Sequence, residues 1–395
     1  MIRVFSKHEG VWAYNSLLVF LSFSSSLAFA GPTEQCQRMF NRIAGVQPTD
    51  AELETCVAAV SAGNVEEAAT QAMNQPTFYS DTLRYMFSPW TNEDENILVA
   101  LNDMSATLIG MTRDDVDFRE ALSGDLVYTC ENDENLPPYS NENNDHYETC
   151  GANLDLATSL VKKTQTELNP ILANREDVPA GLYTTRGFAQ AYYTAGTNRA
   201  ATANTLKNFL CEEIDAFLDT SIPDFRIRQD VDRNPGGKAS DFVNQCKGCH
   251  AGMDGLTGAF AYVDFDEEQG DGAMTLSTDS VVSKFFNNAE TFVQGFQTTS
   301  DEWMNLWTEG INKRVGWGVV EGELITGKGP KSLGAMFTAS EQYPKCLAQT
   351  VYKRVCYDTL SLTDEKTLDL AAHFTGNGYR MKPLVAKAAS FCMGE

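Results

Sequence analysis

The segment Cys246-Lys247-Gly248-Cys249-His250 places two thiols three positions apart and an imidazole directly after the second thiol. This spacing is the attachment signature of a c-type haem. The two thiols can add across the two vinyl groups of a porphyrin, and the adjacent histidine can then supply the proximal ligand of the iron. We therefore predict one covalently attached haem c per chain, with Cys246 and Cys249 as tethers and His250 as the proximal iron ligand.

Other uses of a Cys-x-x-Cys pair fit this sequence less well. A disulfide oxidoreductase has a strand before the motif, whereas the pattern of residues 239–245 predicts a helix. A zinc site needs two further Cys or His ligands at short spacing, and the neighbouring sequence supplies none. A structural disulfide remains open, but it gives His250 no role. The motif occurs once, which disfavours multi-haem electron wires and dihaem peroxidases.

The residues around the motif resemble those of a known family. The chain continues with Ala251-Gly252-Met253-Asp254-Gly255-Leu256 and then Phe260-Ala261-Tyr262-Val263-Asp264-Phe265-Asp266. This is similar to a large, poorly characterised family of exported bacterial proteins, abundant in planctomycetes and myxobacteria, whose haem motif precedes an Asp-Pro-x-Gly-Phe-Ala-x-Glu-x-Phe-Asp segment. Gly255 stands at the family's proline and Val263 at its acid. Similarity also occurs at residues 181–184, 206–211, 346–349 and 378–384, and weaker similarity at residues 117–122 extends the coverage over most of the mature chain.

The resemblance implies a fold and a cofactor, but it does not imply a particular biochemical function. Members of the family carry a cytochrome-like haem domain and have no settled enzymatic activity. It therefore implies a cytochrome-c-like helical haem domain in this chain, with the same two tethers and the same histidine ligand.

The first 30 residues predict a signal peptide. Arg3 and Lys7 give a basic start, residues 16–23 open an apolar run too short to span a bilayer, and small residues end the segment at Ala30. We expect cleavage after Ala30 and a periplasmic or secreted protein without membrane insertion. An uncleaved N-terminal anchor is the alternative.

Cysteine usage agrees with export. The chain has ten cysteines, and free thiols are not expected in an oxidising compartment. With the two motif cysteines bound to haem, the other eight can form four disulfides. Eight cysteines allow 105 connectivities. We expect Cys36–Cys56 and Cys130–Cys150, because each pair brackets a short local segment.

The amino-acid composition limits the kinds of molecule that the chain can bind. The chain has 395 residues, is 43% hydrophobic and carries a net charge of −24, so it can bury a core but repels phosphate backbones and anionic lipid. Nucleic acid is therefore not an expected partner. The main effect expected of the negative net charge is solubility. The same charge also suits binding to a redox partner protein with a basic surface.

Periodicity predicts a mainly α protein with no strand-rich zone. We assign residues 31–150 to an N-terminal helical region, 151–237 to a helical connecting region, and 238–395 to the cytochrome-c-like haem domain with C-terminal helices. An irregular stretch rich in proline and glycine, 222–237, marks the boundary before the haem domain. Helices are expected, among other places, at residues 154–168, 278–293 and 298–313.

Three functional hypotheses follow. The first is a c-type cytochrome that carries single electrons and has no substrate of its own. The second is a haem enzyme, an oxidase, peroxidase or dehydrogenase subunit, with an open sixth position on the iron. The third is a surface interaction protein in which the haem mainly stabilises the fold, since about 200 residues precede the haem domain.

The sixth ligand of the iron is expected to be Met336, on a predicted helix within the haem-bearing half, with His373 as the alternative. Met253 follows His250 too closely to reach the other face of the porphyrin, and nothing evident fixes Met274. A thioether ligand stabilises ferrous iron, whereas a second imidazole lowers the potential. A site left open or filled by water is the remaining possibility.

We predict that Met336→Ala abolishes the methionine-to-iron charge-transfer band of the ferric protein, because that band requires a sulfur ligand. Visible absorption spectroscopy of the wild type and the variant measures it. A band that survives the substitution, or that the wild type lacks, excludes Met336 as the ligand, and His373→Ala is then the variant to measure.

Overall fold

The computed structural model describes residues 30–285, 292, 294–318 and 325–394, and its architecture is mainly α, as predicted. Helices up to residue 210 are α1 (Pro32–Ala44), α2 (Asp50–Ser61), α3 (Val65–Ala72), α4 (Arg84–Phe87), α5 (Asp103–Arg113), α6 (Glu120–Ser123), α7 (Asp145–Asn153), α8 (Leu156–Ser159), α9 (Gln165–Leu168), α10 (Arg186–Tyr192) and α11 (Arg199–Leu210). The later helices are α12 (Ala239–Asp241), α13 (Lys247–Thr257), α14 (Gly329–Thr338), α15 (Gln342–Cys356), α16 (Glu365–Gly376) and α17 (Met381–Ser390).

Local sequence explains where the first helices begin and end. Pro32 occupies the first turn of α1, where its missing N–H has no partner to lose, and Gly45 ends that helix in the left-handed conformation with φ 68°. Helix α2 begins with a capping box. The Thr49 side chain accepts a hydrogen bond from the Glu52 backbone N–H, and the Glu52 carboxylate accepts one from the Thr49 backbone.

Three antiparallel two-stranded sheets interrupt the helices in the described chain. Strand β1 (Val127–Cys130) pairs with β2 (Leu160–Lys163), β3 (Val263–Asp266) with β4 (Ala273–Leu276), and β5 (Glu302–Asn305) with β6 (Ile325–Lys328). The sequence did not predict these strands, because each has only four residues and shows too little alternation to stand out from helical periodicity.

The prediction of a helix over residues 298–313 is wrong. That stretch forms β5 and then a 3₁₀ segment, Gly310–Val315. Trp303 and Asn305 are buried on one side of the strand, so burial alternates with a period of two. In the sequence, apolar residues further along the segment hide this alternation. The helix expected over 154–168 is broken by β2, and of the one expected over 278–293, residues 286–291 and 293 lie outside the described residues.

Most of the buried apolar side chains form one large cluster, which runs from Cys36 to Met393, and Ala261, Val281 and Phe285 form a second, small one. Helix α17 packs against α3 and α15, while α13 packs against α11 and β5. None of the helices in the described ranges is long and apolar enough to cross a membrane. The division at residues 150 and 237 stays a prediction. The signal peptide does too, since residues 1–29 lie outside the described chain.

The disulfides agree with the cysteine analysis. Four bonds form, and the two pairs expected from the sequence, Cys36–Cys56 and Cys130–Cys150, are both confirmed. The other two bonds are Cys211–Cys346 and Cys356–Cys392. Four disulfides fit a protein that folds in an oxidising compartment, such as the periplasm or the exterior of the cell.

Removal of the longest-range disulfide should destabilise the fold most. Cys211–Cys346 closes a segment with a sequence separation of 135, against 20 for Cys36–Cys56. Loop-closure entropy predicts losses of about 5 and about 3 kcal/mol in the free energy of unfolding for the two paired Cys→Ala variants. Denaturant unfolding at equal ionic strength measures both. A Cys211→Ala/Cys346→Ala variant as stable as the Cys36→Ala/Cys56→Ala control would contradict the expectation.

Candidate haem attachment site

The Cys-x-x-Cys-His motif lies on continuous helical backbone. Cys246 ends a single π-helical turn, Phe242–Cys246, and α13 then carries Cys249 and His250. Residues three apart on a helix share a face, so the two cysteines are neighbours on one side. Both are half-buried free thiols. The cysteines expected to be spared from disulfides are therefore free, in the state that thioether formation needs.

An apolar surface borders the motif. Leu218 covers Gly248 so closely that a Cβ added there would lie 2.8 Å from the Leu218 Cγ. Leu218 is 43% exposed, and Val243, three positions before Cys246 on the π-helical turn, is 47% exposed. We call these two residues the motif face.

Cys249 is held beside backbone polar groups. Its sulfur lies 3.9 Å from the Ile214 carbonyl oxygen, with the thiol as donor. Burial raises the pKa of the Cys249 thiol, and the nearby Asp215 carboxylate adds to the effect. Cys249 therefore keeps its proton at neutral pH.

His250 is oriented by a buried carboxylate. Its Nδ1 lies 3.2 Å from the Asp254 Oδ1, one helical turn further along α13. The Asp254 side chain has no exposed surface, while the His250 side chain is a quarter exposed. The imidazole thus has one nitrogen fixed inside the protein and an edge that reaches the surface.

Asp254 is surrounded by donors. The Arg199 Nε donates to Oδ1 over 2.6 Å, and the Arg199 Nη2 donates to Oδ2 over 2.9 Å. The backbone N–H of Arg228 donates to Oδ2 over 3.0 Å. Burial by itself raises the pKa of Asp254, but the attraction of the Arg199 guanidinium and the hydrogen bonds from His250 and Arg199 outweigh burial and hold this pKa well below its usual range. The carboxylate is therefore ionised and can only accept hydrogen bonds.

The ionised carboxylate decides the histidine tautomer. Because Asp254 accepts, the His250 Nδ1 carries the proton and donates it, which leaves the lone pair on Nε2. A metal-ligating histidine has this arrangement, with its second nitrogen bound to a carboxylate or a carbonyl. The geometry of His250 therefore suits a metal ligand, and its role as the proximal iron ligand stays a prediction.

A second carboxylate completes a buried ion network. The Arg199 Nη1 and Nη2 donate to the two oxygens of Asp230 over 2.5 and 2.6 Å. The buried Arg228 guanidinium donates to the Thr257 hydroxyl over 3.0 Å and stacks over the Phe285 ring at 4.2 Å. Burial lowers the pKa of Arg228 to about 9. Two arginines thus face two aspartates, and the irregular stretch that holds Arg228 and Asp230 packs onto α13.

The base of the site is a buried indole. Trp307 has no exposed surface and packs against Phe217, with ring centroids 4.6 Å apart and ring planes tilted by 39°. It meets α13 at Gly252, where an added Cβ would lie 2.0 Å from the indole Nε1. The small residue at this position lets the helix that carries the motif lie directly on the tryptophan.

The two sixth-ligand candidates lie in different places. Met336, on α14, is buried, and its sulfur accepts a hydrogen bond of 3.5 Å from the Asn305 side chain on β5. Strand β5 also packs against α13, so Met336 belongs to the elements around the motif. His373, on α16, lies 3.7 Å from the Glu66 carboxylate of α3, among the terminal helices. Both assignments stay predictions.

Sequence reasoning missed the partners of the histidine. Asp254 follows His250 by four positions on a helix, a spacing that could have indicated a hydrogen bond. Arg199 and Asp230 precede Asp254 by 55 and 24 positions, and no local pattern ties them to the motif.

Comparison with known proteins gives no relative. The chain matches no family model, no curated protein and no solved structure.

Gly252→Ala should destabilise the protein by about 1–3 kcal/mol, because the new methyl group overpacks against the Trp307 indole. Gly376→Ala, in the last turn of α16, is the matched control, since a Cβ there meets nothing within 4 Å. Chemical denaturation of both variants gives the comparison. Equal stabilities would show that the contact between α13 and Trp307 is looser than described.

Proposed function

We propose that the protein is an exported c-type cytochrome that binds one haem through Cys246 and Cys249, with His250 as the proximal iron ligand, and transfers single electrons. The observation that carries the proposal is the state of the motif. Eight cysteines are paired, the two motif thiols are free, and the histidine beside them has its Nδ1 against the Asp254 carboxylate.

The residues present suit covalent attachment. Each thiol can add across one vinyl group, with a new carbon–sulfur bond at one vinyl carbon and the thiol hydrogen transferred to the other. The addition is balanced and needs no oxidant. The motif face supplies apolar contacts for a porphyrin, whose flat ring is itself mostly apolar.

The bound haem would supply an iron that cycles between the ferric and ferrous states. The chain's own residues set the conditions for that cycle. Asp254 holds the imidazole of His250 in one orientation, and Leu218 lies against α13 at Gly248, between the two motif cysteines. Such preorganisation suits an electron carrier, because little has to move when the charge of the iron changes.

The same proposal includes the family and the partner. Asp254 stands four positions after the motif histidine, where the family that the sequence resembles has its own aspartate. The net charge of −24 favours a redox partner with a basic surface, because opposite charges speed the encounter of two proteins.

Mass spectrometry of denatured protein tests the attachment. Protein exported from a host with haem maturation machinery should have the mass of the chain plus one haem. Cys246→Ala/Cys249→Ala should lack the added mass, whereas the control Cys36→Ala/Cys56→Ala should retain it. A wild-type protein of the bare chain mass would overturn the proposal.

A further inference from the structure

The carboxylate behind His250 does more than orient the ring. The hydrogen bond from Nδ1 ends on a buried carboxylate whose two oxygens also accept from the Arg199 guanidinium, not on a neutral carbonyl. A carboxylate acceptor draws the Nδ1 proton away from the ring and so raises the electron density, and hence the basicity, at Nε2. A more basic axial ligand stabilises ferric iron relative to ferrous iron.

We propose that Asp254 is a positioning residue that lowers the reduction potential of the haem through its hydrogen bond to His250, and that Arg199 limits this effect by binding the same carboxylate. This inference rests on the proposed function. It adds that Asp254 and Arg199 adjust the reduction potential in opposite directions.

The surrounding ion network indicates that the hydrogen bond from His250 to Asp254, and not net charge alone, lowers the reduction potential. Asp230 and Asp254 are balanced by Arg199 and Arg228, so the buried cluster carries no excess charge. Of the two carboxylates, Asp254 contacts His250, whereas Asp230 binds Arg199 and the Thr197 hydroxyl. Asp230 therefore provides a control for the loss of one buried negative charge.

A substitution at Arg199 allows the hydrogen bond from His250 to Asp254 to be strengthened instead of removed. Its Nε and Nη2 both donate to Asp254, and this contact withdraws negative charge from the carboxylate that accepts from His250. A lysine keeps the positive charge but has no planar fork with which to bind both oxygens. Arg199→Lys should therefore strengthen the hydrogen bond from His250.

The experiment is a redox titration, followed by visible absorption, of holoprotein whose haem content has first been verified by mass. We expect Asp254→Asn to raise the midpoint potential, Asp230→Asn to raise it by less, and Arg199→Lys to lower it relative to the wild type. If the substitutions only loosened the ion network, the midpoint potentials of all three variants would shift in the same direction.

The outcomes separate this inference from the proposed function. Protein without covalent haem refutes the proposed function and this inference with it. Protein with haem, but with equal shifts in Asp254→Asn and Asp230→Asn, leaves the proposed function in place and overturns the role of the hydrogen bond. Should Asp254→Asn not fold, Arg199→Lys decides, since an unchanged or raised potential in that variant contradicts the inference.

Discussion

The buried Asp254 carboxylate is the constraint on which the site depends. A carboxylate without exposed surface is costly unless charged and polar donors replace its water, and here they come from three separate segments. Arg199 lies on α11, the Arg228 backbone belongs to the irregular stretch before α12, and His250 lies on α13. Removal of one partner from such a cluster costs about 3–5 kcal/mol. The network therefore fixes the helix that carries the motif relative to the rest of the core.

The disulfides support the same arrangement from a distance. Cys211 follows α11 directly, and its bond to Cys346 anchors the end of that helix to α15. Arg199 lies at the other end of α11, so the bond and the ion network hold the helix at both ends. Because the other eight cysteines are paired, only the two motif thiols stay available for attachment in the described structure. The cysteines thus divide into eight that stabilise the fold and two that are left for chemistry.

Local patterns accounted for much of the fold and for the centre of the site. The mainly α class, the capping box at Thr49 and the two disulfides with a separation of 20 all depend on residues close together in sequence. The Cys211–Cys346 bond, with a separation of 135, could not be predicted because eight cysteines allow too many pairings. The four-residue strands were missed because short apolar segments fit helical and extended periods alike. Likewise, the motif marks His250 as a candidate ligand, but tertiary packing brings the partner Arg199 to Asp254 and to Asp230.

The central claim is that the motif holds one haem by two thioether bonds. The most direct measurement is the reduced absorption spectrum of the exported protein in alkaline pyridine, where the α band reports how many vinyl groups are saturated. The account predicts the band position of a haem with both vinyl groups saturated, at one haem per chain. Either the absence of haem or the band position of a haem with intact vinyl groups would contradict it.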